Sequence, residues 1–121
     1  MTRDTASIGR RGERAAARHL RRRGWRLLAR NWRAGGGEID LVVRRGSVIA
    51  ICEVKTRRRD VGPELVTARQ RERIRRASAC YAAWTRLPAG VDVRLDLILV
   101  SRRRRLPGWR VEHLPGALGE W

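Results

Sequence analysis

The chain has 121 residues, so a single domain over 1–121 is expected, with an ordered core over about residues 8 to 114. Its 29 Lys and Arg against 12 Asp and Glu leave a net charge of +17, which calls for a polyanion or an anionic surface as partner. The 42% apolar content excludes a disordered basic tail, the apolar runs are too short to span a bilayer, and the N-terminus lacks a secretory apolar segment, so a cytoplasmic location is expected.

A first helix is expected over about residues 8 to 23. Ile8, Gly12, Ala16 and Leu20 recur every four residues, arginines cover the other faces, and Gly24 caps the end. Glu13 is the odd member. With Ala16, Ala17 and Leu20 it follows i, i+3, i+4, i+7, so its carboxylate runs along the apolar stripe. It reads either as a helix-end carboxylate paired with an Arg or as one delivered to a site between helix and sheet. Trp25 to Arg33 reads as a short strand with Trp25 and Leu27 on one face, and Gly35-Gly36-Gly37 as a turn. Glu38 to Val43 and Val48 to Thr56 are the next strands, joined by a hairpin turn over Arg44-Arg45-Gly46-Ser47. Residues 57–63 read as a loop.

The second helix starts at a capping box, Thr67-Ala68-Arg69-Gln70. Ile74, Ala77, Tyr81 and Trp84 follow as its core face, with Gln70 four residues before Ile74 on that face, and Leu87-Pro88-Ala89-Gly90 ends it. Val91 to Val100 is the strongest strand and reads as buried on both faces, which makes Asp96 anomalous. Trp109 to Leu114 reads as a last strand and Pro115 to Trp121 as a loose tail. The order αβββαβ, with one further C-terminal strand, predicts an α/β domain on one mixed sheet. Cys52 and Cys80 lack zinc-ligand spacing and read as reduced buried thiols, and His19 and His113 as packing or surface residues.

Three of the twelve acids, Glu38, Asp40 and Glu53, fall on one hairpin. With Arg45-Gly46 as a two-residue turn, Glu38 faces Glu53 and Asp40 faces Ile51. Glu38, Asp40, Glu53 and Lys55 then share one sheet face, with Asp40 and Glu53 as diagonal neighbours. An odd-length turn or a bulge would flip that parity. Crowded carboxylates repel unless a cation neutralises them, and carboxylate oxygens with open water positions suit Mg²⁺ or Mn²⁺. Lys55 is the lone lysine beside 28 arginines. Arg replaces Lys as a solvated charge but not as a compact ammonium, so its place two residues after Glu53 points to chemistry. A small acidic centre within a basic surface is the charge layout of a metal-dependent nuclease.

Asp40 followed by Glu53-Val54-Lys55 across a hairpin resembles the PD-(D/E)xK nuclease motif. The wider pattern is similar to the YraN-type family of predicted endonucleases, related to archaeal Holliday junction resolvases. Its pieces are Gly9-Arg10-Arg11-Gly12-Glu13, Asn31-Trp32-Arg33, Gly37-Glu38-Ile39-Asp40-Leu41, Glu53-Val54-Lys55-Thr56-Arg57, Arg69-Gln70 and Arg94-Leu95-Asp96. The resemblance covers residues 8 to 114 and implies a restriction-endonuclease-like fold, a divalent metal, and Asp40, Glu53 and Lys55 as the catalytic core. It also implies catalytic support from Glu13 and Gln70. Ile39 stands where Pro gives the motif its name, and Arg69 where the family often has Lys.

The expected activity is DNA phosphodiester hydrolysis with Mg²⁺ or Mn²⁺ held by Asp40, Glu53 and Glu38. Arg10, Arg11, Arg33, Arg57, Arg58 and Arg59 are the expected nucleic-acid-binding residues. Branched or single-stranded DNA is the expected partner, and symmetric cutting of two strands would call for a homodimer. The alternative is a non-catalytic nucleic-acid-binding protein on a nuclease-like scaffold. A membrane-surface role is disfavoured, because the Arg-rich helix offers mostly Ala on its apolar side.

Overall fold

Five strands lie side by side in chain order: β1 (Arg26–Ala34), β2 (Gly37–Arg45), β3 (Val48–Arg57), β4 (Asp92–Arg102) and β5 (Trp109–Leu114). The structure, a computed structural model, describes residues 2–57, 66–119 and 121, with side chains from Gly9 onward except at Arg57. β1, β2 and β3 form an antiparallel meander, β3 and β4 run parallel, and β4 and β5 are antiparallel. A parallel step needs a crossover, and α2 (Ala68–Thr85) lies in that connection. α2 packs on one sheet face and α1 (Thr2–Arg22) on the other. This is the restriction-endonuclease-like αβββαβ core on a mixed sheet, with β5 added at its edge.

α1 begins at Thr2, earlier than the expected start near residue 8. It ends in a Schellman motif: Trp25 N–H donates to Leu20 O and Gly24 N–H to Arg21 O, each at 3.0 Å. Leu20 and Trp25, which flank that cap, are both buried with Ala16 and Ala17 against Leu41, Val43, Ala50, Cys52, Val54 and Ile98. A Cβ at Gly12 would collide with the Thr56 hydroxyl, so the glycine is what lets α1 lie directly on β3.

The capping box at α2 is formed as expected. Thr67 Oγ1 accepts from Gln70 N–H at 3.1 Å, and Gln70 Oε1 accepts from Thr67 N–H at 2.9 Å. Ile74, Ala77, Ser78 and Tyr81 are buried against Ile39, Val42, Ile49, Ile51 and Leu95. Trp84 departs from the expected core face and is 81% exposed. At 100° per residue it lies about 80° around the helix from Ile74, and the drift carries it off the buried stripe.

The β1–β2 pair is irregular at two places: its register shifts between Leu27 and Ala29, and it turns again at Asn31. Asn31 has φ +51°, and the β1–β2 pairing passes from Arg30↔Leu41 to Trp32↔Ile39 around it. Ile39 packs with the α2 side and Leu41 with the α1 side, although they are two residues apart. Ala29 and Trp32, three apart, share the α2 side. Both strands therefore reverse their facing at the Asn31–Asp40 position.

Asp96, fully buried in β4, is satisfied rather than anomalous. Arg94 donates to both its carboxylate oxygens at 2.9 and 3.0 Å, His113 Nε2 lies 2.7 Å from Oδ2, and Gly116 N–H donates at 2.9 Å. Burial pushes its pKa up, but these partners outweigh it and hold the carboxyl below its usual range. The same contacts anchor the segment read as a loose tail. Leu118 N–H donates to Leu95 O, and Leu118 is buried in the α2-side core. Cys52 is buried, whereas Cys80, expected to be buried too, is half-exposed.

Candidate active site

The β2–β3 hairpin places the acids differently from the expected register. Arg45 pairs with Val48 and Leu41 with Cys52, so Gly46-Ser47 is the turn rather than Arg45-Gly46. The slide is two residues, which preserves parity and sets Asp40 directly opposite Glu53 instead of diagonal to it. The backbone pairing stops one pair short of them, at Leu41↔Cys52. Beyond it Asp40 Oδ2 accepts the Val54 N–H at 2.7 Å, so the side chain continues the bonding where the backbone pairing ends.

Asp40 is 8% exposed, and its carboxyl lies close enough to that of Glu53 for each to shift the other's pKa. Burial and the Asp40 carboxyl push Glu53 up to about 8. Burial also raises Asp40, against the Val54 N–H bond and the Lys55 charge that lower it. Lys55 Nζ stands 3.4 Å from Glu53 Oε2, with both side chains mostly covered.

Glu13 reaches the same centre from α1. Burial, then the charges of Asp40 and Glu38, raise it to about 7, while an Asn31 side-chain hydrogen bond and Arg30 pull it down. The charges of Asp40 and Glu38 and that of Arg30 all act on it, so both of its readings keep a partner. Asn31 went unassigned in the sequence, although it falls within a matched motif. Its signal is an Asn in a strand, the residue type that after glycine most readily takes a left-handed backbone.

A cleft of about 580 Å³ opens over this centre, lined by Arg33, Glu38, Asp40, Glu53, Gln70 and Arg73 among others. Glu38 enters it bound to Arg33, whose Nε donates to Oε2 at 3.0 Å across the β1–β2 pair. Glu38 thus stands in the cleft with Asp40 and Glu53, as expected, its charge met by Arg33. Gln70 borders the cleft with its amide oxygen already spent on the α2 cap. Arg73 was missed by the sequence reading, and only its place one helical turn beyond Gln70 marks it. A Cβ on Gly37 would stand 2.5 Å from the Arg73 carbonyl oxygen, so this glycine lets the start of β2 pack against α2 at the cleft.

Arg10 and Arg11 are exposed on α1. Arg58 and Arg59 lie outside the described residues, as does the Arg57 side chain. Among the described residues no three His, Cys, Asp or Glu converge as a metal cage. Two carboxylates nevertheless fit Mg²⁺ or Mn²⁺, because such an ion keeps several waters and is commonly held by one or two protein carboxylates. The burial and crowding that raise Glu53 mark where a cation would relieve the same repulsion.

Among the described residues no helix is long and apolar enough to cross a membrane. Several proteins similar to this chain bear one family name. A UPF0102 protein of Parafrankia sp. (strain EAN1pec) is 44% identical over 113 residues, 91% of this chain and 94% of its own. One from Frankia alni is 46% identical over 92% of this chain and 93% of its own, and one from Roseiflexus castenholzii 38% identical over 99% of each. The profile of the uncharacterised protein family UPF0102 matches residues 12–100, the span that holds Glu13, Asp40, Glu53, Lys55 and Gln70. The chain belongs to that family, the YraN family its motifs resemble.

Proposed function

We propose that this protein is a metal-dependent endonuclease that hydrolyses DNA phosphodiester bonds, with branched or otherwise structured DNA as its substrate class. The observation that carries the reading is the buried Asp40–Glu53 carboxyl pair beside Lys55, at the floor of an open cleft in a chain of net charge +17. Asp40 and Glu53 would hold Mg²⁺ or Mn²⁺. When bound, that cation activates a water and stabilises negative charge developing on the phosphoryl group. Lys55 offers a compact donor to the attacking water or to a phosphate oxygen. Glu13, with its carboxyl near 7, would accept or return a proton at neutral pH. Arg33 and Arg73 line the cleft and hold backbone phosphates there. A module that only bound nucleic acid would gain nothing from carboxylates set beside phosphates.

The test is cleavage of linear duplex, single-stranded, flap and four-way-junction DNA with Mg²⁺ or Mn²⁺. The wild type should cut at least one of them, chelation should stop it, and Asp40→Ala should be slower by roughly 100–1,000-fold. Binding without cleavage of any substrate, or equal rates for Asp40→Ala, would leave the nucleic-acid-binding scaffold as the better reading.

A further inference from the structure

Trp84 is 81% exposed near the C-terminal end of α2, a position that costs apolar hydration and makes no core contact. It borders a second depression, of about 660 Å³, together with Trp32, Arg33, Ala34, Cys80 and Ala83. Arg33 and Ala34 also line the carboxylate cleft, so the two hollows share a wall. Gln70, Arg73, Ala77, Cys80 and Trp84 follow alternating steps of three and four along one flank of α2. That flank leads from the carboxylates to the indole. Arg73 to Trp84 is about 16 Å along the helix axis, the span of about five stacked nucleotides.

We propose that the Trp84 hollow is a stacking platform for an unpaired nucleobase of the strand whose backbone enters the carboxylate cleft. The inference rests on reading that cleft as a nuclease site, and it names an unpaired segment beside the cut as part of the substrate. An indole face takes any base, but only one whose own face is not already covered by a neighbour in a duplex. Exposed Arg33, Arg73, Arg76 and Arg86 near the platform would hold the phosphates on either side. The same arginines argue against a second copy as the occupant, since a twofold contact through Trp84 would bring like charges together.

The experiment measures binding in chelator, so that cleavage plays no part. The probes are a labelled strand of ten thymidines and an abasic phosphate backbone of equal length. The wild type should prefer the thymidine strand by about 5- to 150-fold, the worth of one stacked base. Trp84→Ala should bind both probes at the abasic affinity, and Trp84→Phe should keep part of the preference. The side chain is exposed, so neither substitution threatens folding. No preference in the wild type, or full preference in Trp84→Ala, would overturn the platform. So would a dimer of the free protein that Trp84→Ala dissociates in sedimentation. Failure of the nuclease reading shows up separately, as absent metal-dependent cutting in the Asp40→Ala comparison.

Discussion

Lys55 is the one ammonium among 29 basic side chains, and it stands 3.4 Å from Glu53. If it served as bulk charge, Lys55→Arg would be harmless. A guanidinium is wider, tends to pair bidentately with a carboxylate, and would compete for Asp40 or Glu53. Lys55→Arg should therefore slow cleavage by roughly 100–1,000-fold while DNA affinity stays near wild type. A paired measurement of initial rate and of binding at fixed salt decides it, and wild-type cutting would remove Lys55 from the chemistry. Residues of this kind are legible without a structure because each breaks a pattern: a lone Lys, a carboxylate on an apolar stripe, acids in apolar strands. Trp84 was misread because it obeys one. Its spacing fits a core face locally, and only the accumulated helical drift exposes it.

At the scale of elements, the β1–β2–β3 meander is where sequence and structure part. A two-residue hairpin turn fits Arg45-Gly46 and Gly46-Ser47 alike, and parity cannot tell them apart, so the acids fell on the correct strands with the wrong partners. The reversal at Asn31 and Asp40 was illegible for a different reason. It depends on one left-handed residue held by the pairing on both sides, which alternation of side chains does not encode. That conformation is testable. Asn31→Ala should be less stable than Asn31→Gly by about 1 kcal/mol, because both lose the amide but only Ala pays the left-handed penalty. An ordinary strand position gives the opposite order. Thermal unfolding of the two variants at one pH measures it, and an Ala variant more stable than the Gly variant would contradict the strained backbone.

The molecule as a whole is a basic shell around a small acidic cleft. Helices on both faces of the sheet explain why the central strands read as continuous apolar runs, and this is why the α/β class was legible from the sequence. The C-terminal segment was not legible, because its hold on β4 depends on Asp96 meeting His113 and Gly116 from distant parts of the chain. The surplus of 17 positive charges would attract a polyanion, while inside the cleft burial and the Asp40 carboxyl push Glu53 up to about 8. Whether the Asp40–Glu53 pair is a divalent-cation site is decided by calorimetric titration with Mn²⁺ at pH 6, 7 and 8. Glu53 releases its proton near 8, and metal binding must displace that proton below this pH. Affinity should therefore rise by up to about tenfold per pH unit, level off above about 8, and vanish in Asp40→Ala. No binding by the wild type, affinity independent of pH, or equal binding by Asp40→Ala would contradict the account.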